Sequence, residues 1–166
     1  MQQKPKIALT NDYLDISVIL ADNEVDAQFD RISQDTIMKL SNKCVGSFGY
    51  VDDSGRAIAK ITKAIVLRDD SRKVNRFEKY TYIEATIHID RNTETEQYIQ
   101  SIVNAEHIDV TASFMVEKMQ CSICWQDAYS CTHEKGSRYN DELCCIDLFG
   151  LVDFYTFCVM TKGVSQ

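Results

Sequence analysis

The residues best suited to chemistry in this chain are Cys121, Cys124, Cys131 and His133, spaced C-x2-C-x6-C-x-H within thirteen positions. Thiolate and imidazole are the ligands from which zinc builds a closed tetrahedron. A Cys pair separated by two residues is the usual knuckle half of such a site. Four protein donors leave no open coordination position, so the expected Zn2+ is structural rather than catalytic. Two further cysteines, Cys144 and Cys145, are adjacent in sequence. Strand alternation would turn one of them toward the metal, where it could replace Cys131 or His133. Cys44 and Cys158 lie among apolar neighbours and are expected in the core.

The elements that must position these donors follow from periodicity. Partial alternation of Ile7, Leu9, Ile16, Val18 and Leu20 predicts a strand or hairpin over Lys6 to Leu20. Ile32, Ile37 and Leu40 predict a short helix over Ser33 to Leu40. Strands are predicted over Ala57 to Leu67 and Glu78 to Ile89. In the second, Thr81, Ile83, Ala85, Ile87 and Ile89 form one face. The charge-dense stretch Arg68 to Arg76 between them reads as a solvated turn or hairpin loop, because both signs are mixed. Thr93-Glu-Thr-Glu96 reads as a capping box opening a helix to about Asn104 or Ala105. Strand-like pieces follow at His107 to Glu117, Leu143 to Phe149 and Tyr155 to Thr161. Strands, helix, then strands predict an α+β domain.

Bulk properties narrow the function classes. The 166 residues fit one domain with its own core, and 45% hydrophobic with 26% charged residues is a globular rather than a disordered balance. A net charge of −7 argues against a sequence-independent grip on nucleic acid phosphates. No apolar run approaches the roughly eighteen residues of a membrane span. The opening Met-Gln-Gln-Lys-Pro-Lys lacks the apolar stretch of a signal peptide. Seven cysteines in such a chain read as thiols and metal ligands rather than as a disulfide framework. The expectation is a soluble protein made inside a cell, binding neither nucleic acid nor membrane.

Five segments together resemble the prohead (capsid maturation) proteases of tailed phages, in particular a subgroup with a zinc loop. Cys44-Val-Gly46-Ser-Phe-Gly49-Tyr-Val-Asp52-Asp53, leading into Ala57 to Ile61, is similar to the family's Gly-x-x-Gly-x-x-Asp-His turn and the strand after it. Tyr82 to Asp109 resembles the segment that leads to the serine strand, and Val110-Thr-Ala-Ser-Phe114 stands where that strand carries its serine. Cys121 to Tyr139 is the most specific match, and Asp153 to Met160 resembles the closing strand. The resemblance covers roughly Ala27 to Met160. It implies a mostly antiparallel β barrel or sheet of the prohead-protease type, with a few short helices and a zinc-stabilised loop at about 119–145 in a single domain, 1–166.

The departures from the family pattern bear on activity. The family is a serine protease related to herpesvirus assemblins, and its hydroxyl needs an imidazole to take its proton. On this resemblance the histidine position is Asp53, the serine position Thr111 and the acidic position of the last strand Thr156. A carboxylate with an ordinary pKa near 4 is a poor base for a hydroxyl. The resemblance therefore implies a pseudoprotease, a structural protein of the virion that acts on other virion proteins by binding. Two alternatives stay open. One is a working protease that uses Thr111 or Ser113 with His88 or His107, although four strand residues put His107 roughly 13 Å from Thr111. The other is a zinc-stabilised adaptor unrelated to viruses. Trp125, inside the loop, is an interface anchor or packs over its own metal site.

Overall fold

Alternation of apolar residues builds the centre of the molecule. In the computed structural model, which describes residues 5–75 and 77–162, strand β2 (Tyr13–Asp22) buries Leu14, Ile16, Val18 and Leu20. It pairs antiparallel with β6 (Lys79–Asp90), which buries Ile83, Ala85, Ile87 and Ile89 on the same side. This is the face expected from the sequence. Each buried Ile or Leu contributes about 1.5–3 kcal/mol relative to exposure. The outer face carries Tyr82, Glu84, Thr86 and His88, all partly exposed. Strand β1 (Lys6–Leu9) folds back on β2, so the first segment is a hairpin.

Beyond β6 the sheet continues through β5 (Ala59–Lys73) and β4 (Phe48–Val51) to β10 (Ile146–Lys162). Strand β7 (His107–Cys121) lies antiparallel along one side of β10. On the other side, β3 (Asp30–Ile32) pairs with the start of β10 and β4 with its end, both parallel. Helix α1 (Gln34–Lys43) joins β3 to β4 and lies over the core with Ile37 and Leu40 buried. Helix α2 (Glu96–Asn104) buries Ile99 and Ile102. The result is α+β with a mixed eight-stranded sheet among the described residues, open rather than closed into a barrel.

Four local expectations are corrected by hydrogen bonding and packing. The box at Thr93 does not form. Asn92 Oδ1 accepts from the N–H of Glu94 at 2.9 Å and of Thr95 at 3.1 Å, and Thr95 Oγ1 accepts from Asn92 N–H at 3.0 Å. The reciprocal box is therefore Asn92-x-x-Thr95. It releases Glu96 to take a two-pronged bond from Arg91 at 2.7 and 2.9 Å. The charged stretch from Arg68 is mostly strand, since β5 pairs with β6 as far as Lys73–Lys79, with Arg76 outside the described residues. The last two strand pieces are one strand, β10, which passes two register irregularities. Gly150 permits its course, because φ is +68° and a Cβ there would meet Glu117 Oε2 at 2.5 Å. Finally, Cys44 is fully buried as expected, but Cys158 is half-buried on the outer face of β10.

Candidate metal centre

The polar loop 122–145 joins β7 to β10, and Cys144 and Cys145 are its only buried residues. A segment of that length with almost no apolar core of its own needs another source of order. Its first turn is a knuckle at the end of β7. Trp125 N–H returns to Cys121 C=O at 2.9 Å, Cys121 N–H bonds Gln126 C=O at 2.9 Å, and Ile123 N–H donates to Cys121 Sγ at 3.4 Å. Trp125 takes φ +63°, a region that a side chain enters at a cost of about 1–2 kcal/mol. The second turn brings His133 N–H to Cys131 Sγ at 3.2 Å. A two-stranded hairpin of β8 (Arg138–Tyr139) and β9 (Glu142–Leu143) closes the loop through Asn140 and Asp141, both at positive φ, as a tight hairpin turn requires.

These turns gather the four expected donors. The sulfurs of Cys121, Cys124 and Cys131 and the nitrogen of His133 all lie within 4.8 Å of one another. Cys124 and Cys131 Sγ are 3.4 Å apart, and His133 Nδ1 is 3.3 Å from Cys131 Sγ and 3.8 Å from Cys121 Sγ. Zinc bonds of about 2.3 Å to sulfur and about 2.0–2.1 Å to nitrogen imply tetrahedral edges of roughly 3.5–3.8 Å, so the donor set fits such an ion. The ring of Tyr139 packs edge-on against His133 at 4.5 Å, while its hydroxyl accepts from Glu134 N–H at 2.8 Å. The imidazole is thereby aimed at the sulfurs.

Electrostatics favour one thiolate in the cluster. Burial opposes charge on Cys121, but the N–H groups of Cys124 and Ile123, with the neighbouring Cys131 and Cys144 thiols, bring it down to about 6. Cys131 also receives a backbone bond, from His133, yet burial and the neighbouring Cys124 and Cys121 sulfurs push it up to about 11. A divalent cation at the centre would remove that mutual penalty and hold the thiolates together.

The two adjacent cysteines separate as strand alternation requires. Cys144 Sγ lies 3.8 Å from Cys121 Sγ, whereas Cys145 points away, toward Asp147 Oδ1 at 3.9 Å. Asp147 also receives Arg31 in a two-pronged pair at 2.6 and 2.8 Å, which anchors the loop exit to β3. Trp125 is 48% exposed. It lines a cavity of about 390 Å³ with Ile123, Leu143, Val74 and Phe77 at the tip of the β5–β6 hairpin.

The three positions of interest for proteolysis lie elsewhere. Ser113 is opposite Thr156 and Thr111 opposite Cys158 on the β7–β10 pair, so Thr111, Ser113 and Thr156 share its outer face. Thr156 Oγ1 donates to Phe48 C=O at 3.0 Å. Asp53 is exposed in the turn after β4. It is Asp52 that reaches back to β10, accepting from the N–H and hydroxyl of Thr161 at 2.7 Å each. His88 bonds Asp15 at 2.7 Å and Asp90 at 3.2 Å, and His107 bonds Asp109 at 2.6 Å. The carboxylate partners of the two histidines went unread in the sequence. For His107–Asp109 and His88–Asp90 the signal was the i+2 spacing on one strand face, whereas Asp15 comes from another strand. No protein-family model, curated protein or solved structure matches the chain.

Proposed function

We propose that this chain is a non-catalytic structural protein of a tailed-phage virion, a pseudoprotease that works by binding other virion proteins and whose loop is stapled by Zn2+. The phage assignment rests on the sequence resemblance. The observation that carries the non-catalytic part is the placement of the imidazoles. His88 and His107 are bonded to carboxylates and His133 faces the thiols, and no hydrogen bond among the described residues joins an imidazole to Thr111, Ser113 or Thr156. His107 shares their face of β7 but stands four strand residues, roughly 13 Å, from Thr111. A hydroxyl nucleophile needs a base within hydrogen-bond reach. Around those hydroxyls, Phe48, Tyr50, Met115 and Met160 are exposed, a set of apolar side chains suited to a protein contact.

In this reading Cys121, Cys124, Cys131 and His133 hold the ion, and its contribution is cohesion of a loop that lacks a core. The residues 122–145 then present Trp125 and the β8–β9 hairpin as fixed features rather than as a mobile strap. Treating the purified chain with a serine-reactive fluorophosphonate, and analysing particles made from the genome that encodes it by mass spectrometry, tests both parts. The expected result is an unlabelled chain present in the particle. Labelling at Thr111 or Ser113 would overturn the non-catalytic reading, and absence from particles would overturn the virion role.

A further inference from the structure

A fifth donor, the thiol of Cys144, lies against one of the four clustered donors. Cys144 is fully buried, and its sulfur sits 3.8 Å from that of Cys121, the edge length of roughly 3.8 Å that two thiolates span on one tetrahedral zinc. Its backbone is fixed on both sides: its N–H bonds Ser137 C=O and its C=O accepts from Gly136 N–H, each at 2.8 Å. The next residue is locked as well, by Ser122 N–H to Cys145 C=O at 2.9 Å and Cys145 N–H to Ser122 Oγ at 3.0 Å. These bonds hold the backbone of Cys144 and Cys145 at the junction of loop and sheet. The Cys144 thiol lies beside Cys121, fully buried where His133 is half-exposed.

We propose that Cys144 is an alternative fourth ligand, so that the ion is held by Cys121, Cys124 and Cys131 with either His133 or Cys144. The exchange involves no oxidation. The bond from the metal to His133 Nδ1 breaks, Cys144 gives its proton to solvent, and the new metal–sulfur bond forms, which makes the centre more negative by one charge. The two states differ mechanically. With His133 bound, the ion is closed from within the loop; with Cys144 bound, it is tied directly to the entry of β10. His133, Tyr139 and the turn between them are then free to repack while the metal stays. Softer ions favour the all-thiolate set.

Cobalt(II) and zinc(II) binding to the full chain tests this, with His133→Ala, Cys144→Ala and the double variant. In His133→Ala the thiolate-to-cobalt charge-transfer band should rise from three thiolates' intensity to four. Its affinity loss should stay within the roughly 10–100-fold that a supporting residue costs. The double variant should lose more than the product of the two single losses, the mark of two groups that substitute for each other. A band that stays at three thiolates in His133→Ala would overturn the proposal, as would a double variant no weaker than His133→Ala. Should Cys144→Ala fail to fold, Cys144→Ser serves in its place, because it keeps the volume and removes the soft donor.

Discussion

At the scale of single residues, Trp125 shows how the knuckle constrains its sequence. Its φ of +63° is a conformation that glycine enters freely and a branched side chain resists. The turn nevertheless carries an indole, 48% exposed, over the cavity it shares with Phe77. Replacing Trp125 by Gly and by Val separates backbone from side chain. The Val variant should be less stable than the Gly variant by about 1–2 kcal/mol in urea melts of the metal-loaded protein. Equal stability would mean that the turn relaxes out of the left-handed region. That Cys121, Cys124, Cys131 and His133 could form one cluster was legible from their spacing, a pattern in which zinc ligands recur. Which of Cys144 and Cys145 faces the cluster was not. That depends on the bonds of Ser122 and Ser137 to the backbone of each.

Among the elements, the central strands were the most legible. A period of two with β-branched residues leaves little choice in β2 and β6. The box before α2 was displaced by one residue because Asn92 offers a better acceptor to the first turn than Thr93. The β2–β6 pair also holds the clearest pH-sensitive group. Burial disfavours the charged ring of His88, but its bonds to Asp15 and Asp90 outweigh this and raise its pKa above the ordinary value. A raised folded-state pKa contributes stability that is fully present below the unfolded value, about 6.5, and is lost as pH rises through the folded value. His88→Gln should therefore lose stability relative to the wild type most at pH about 5.5, with the gap narrowing by about pH 9. Urea midpoints at the two pH values check this. A gap that widens at high pH would contradict the assignment of Asp15 and Asp90 as its partners.

For the molecule as a whole, the α+β class was readable in the sequence, whereas the open, mixed sheet was not. β3 and β4 run parallel to β10 because α1 returns the chain between them. The order of strands in sequence says nothing of that long-range pairing. The division of labour is nevertheless plain. Buried side chains from β2, β5, β6, β10 and both helices form one continuous core. The loop 122–145 stands outside it, with a Cys3His cluster where a core would otherwise be. The most direct measurement is hydrogen exchange on the chain as purified, with its zinc content determined, before and after strong chelation. The expected result is one zinc per chain, and on its removal a loss of protection confined largely to residues 122–145 while β2 and β6 stay protected. A chain that carries no stoichiometric metal, or a loop whose protection survives chelation, would contradict it.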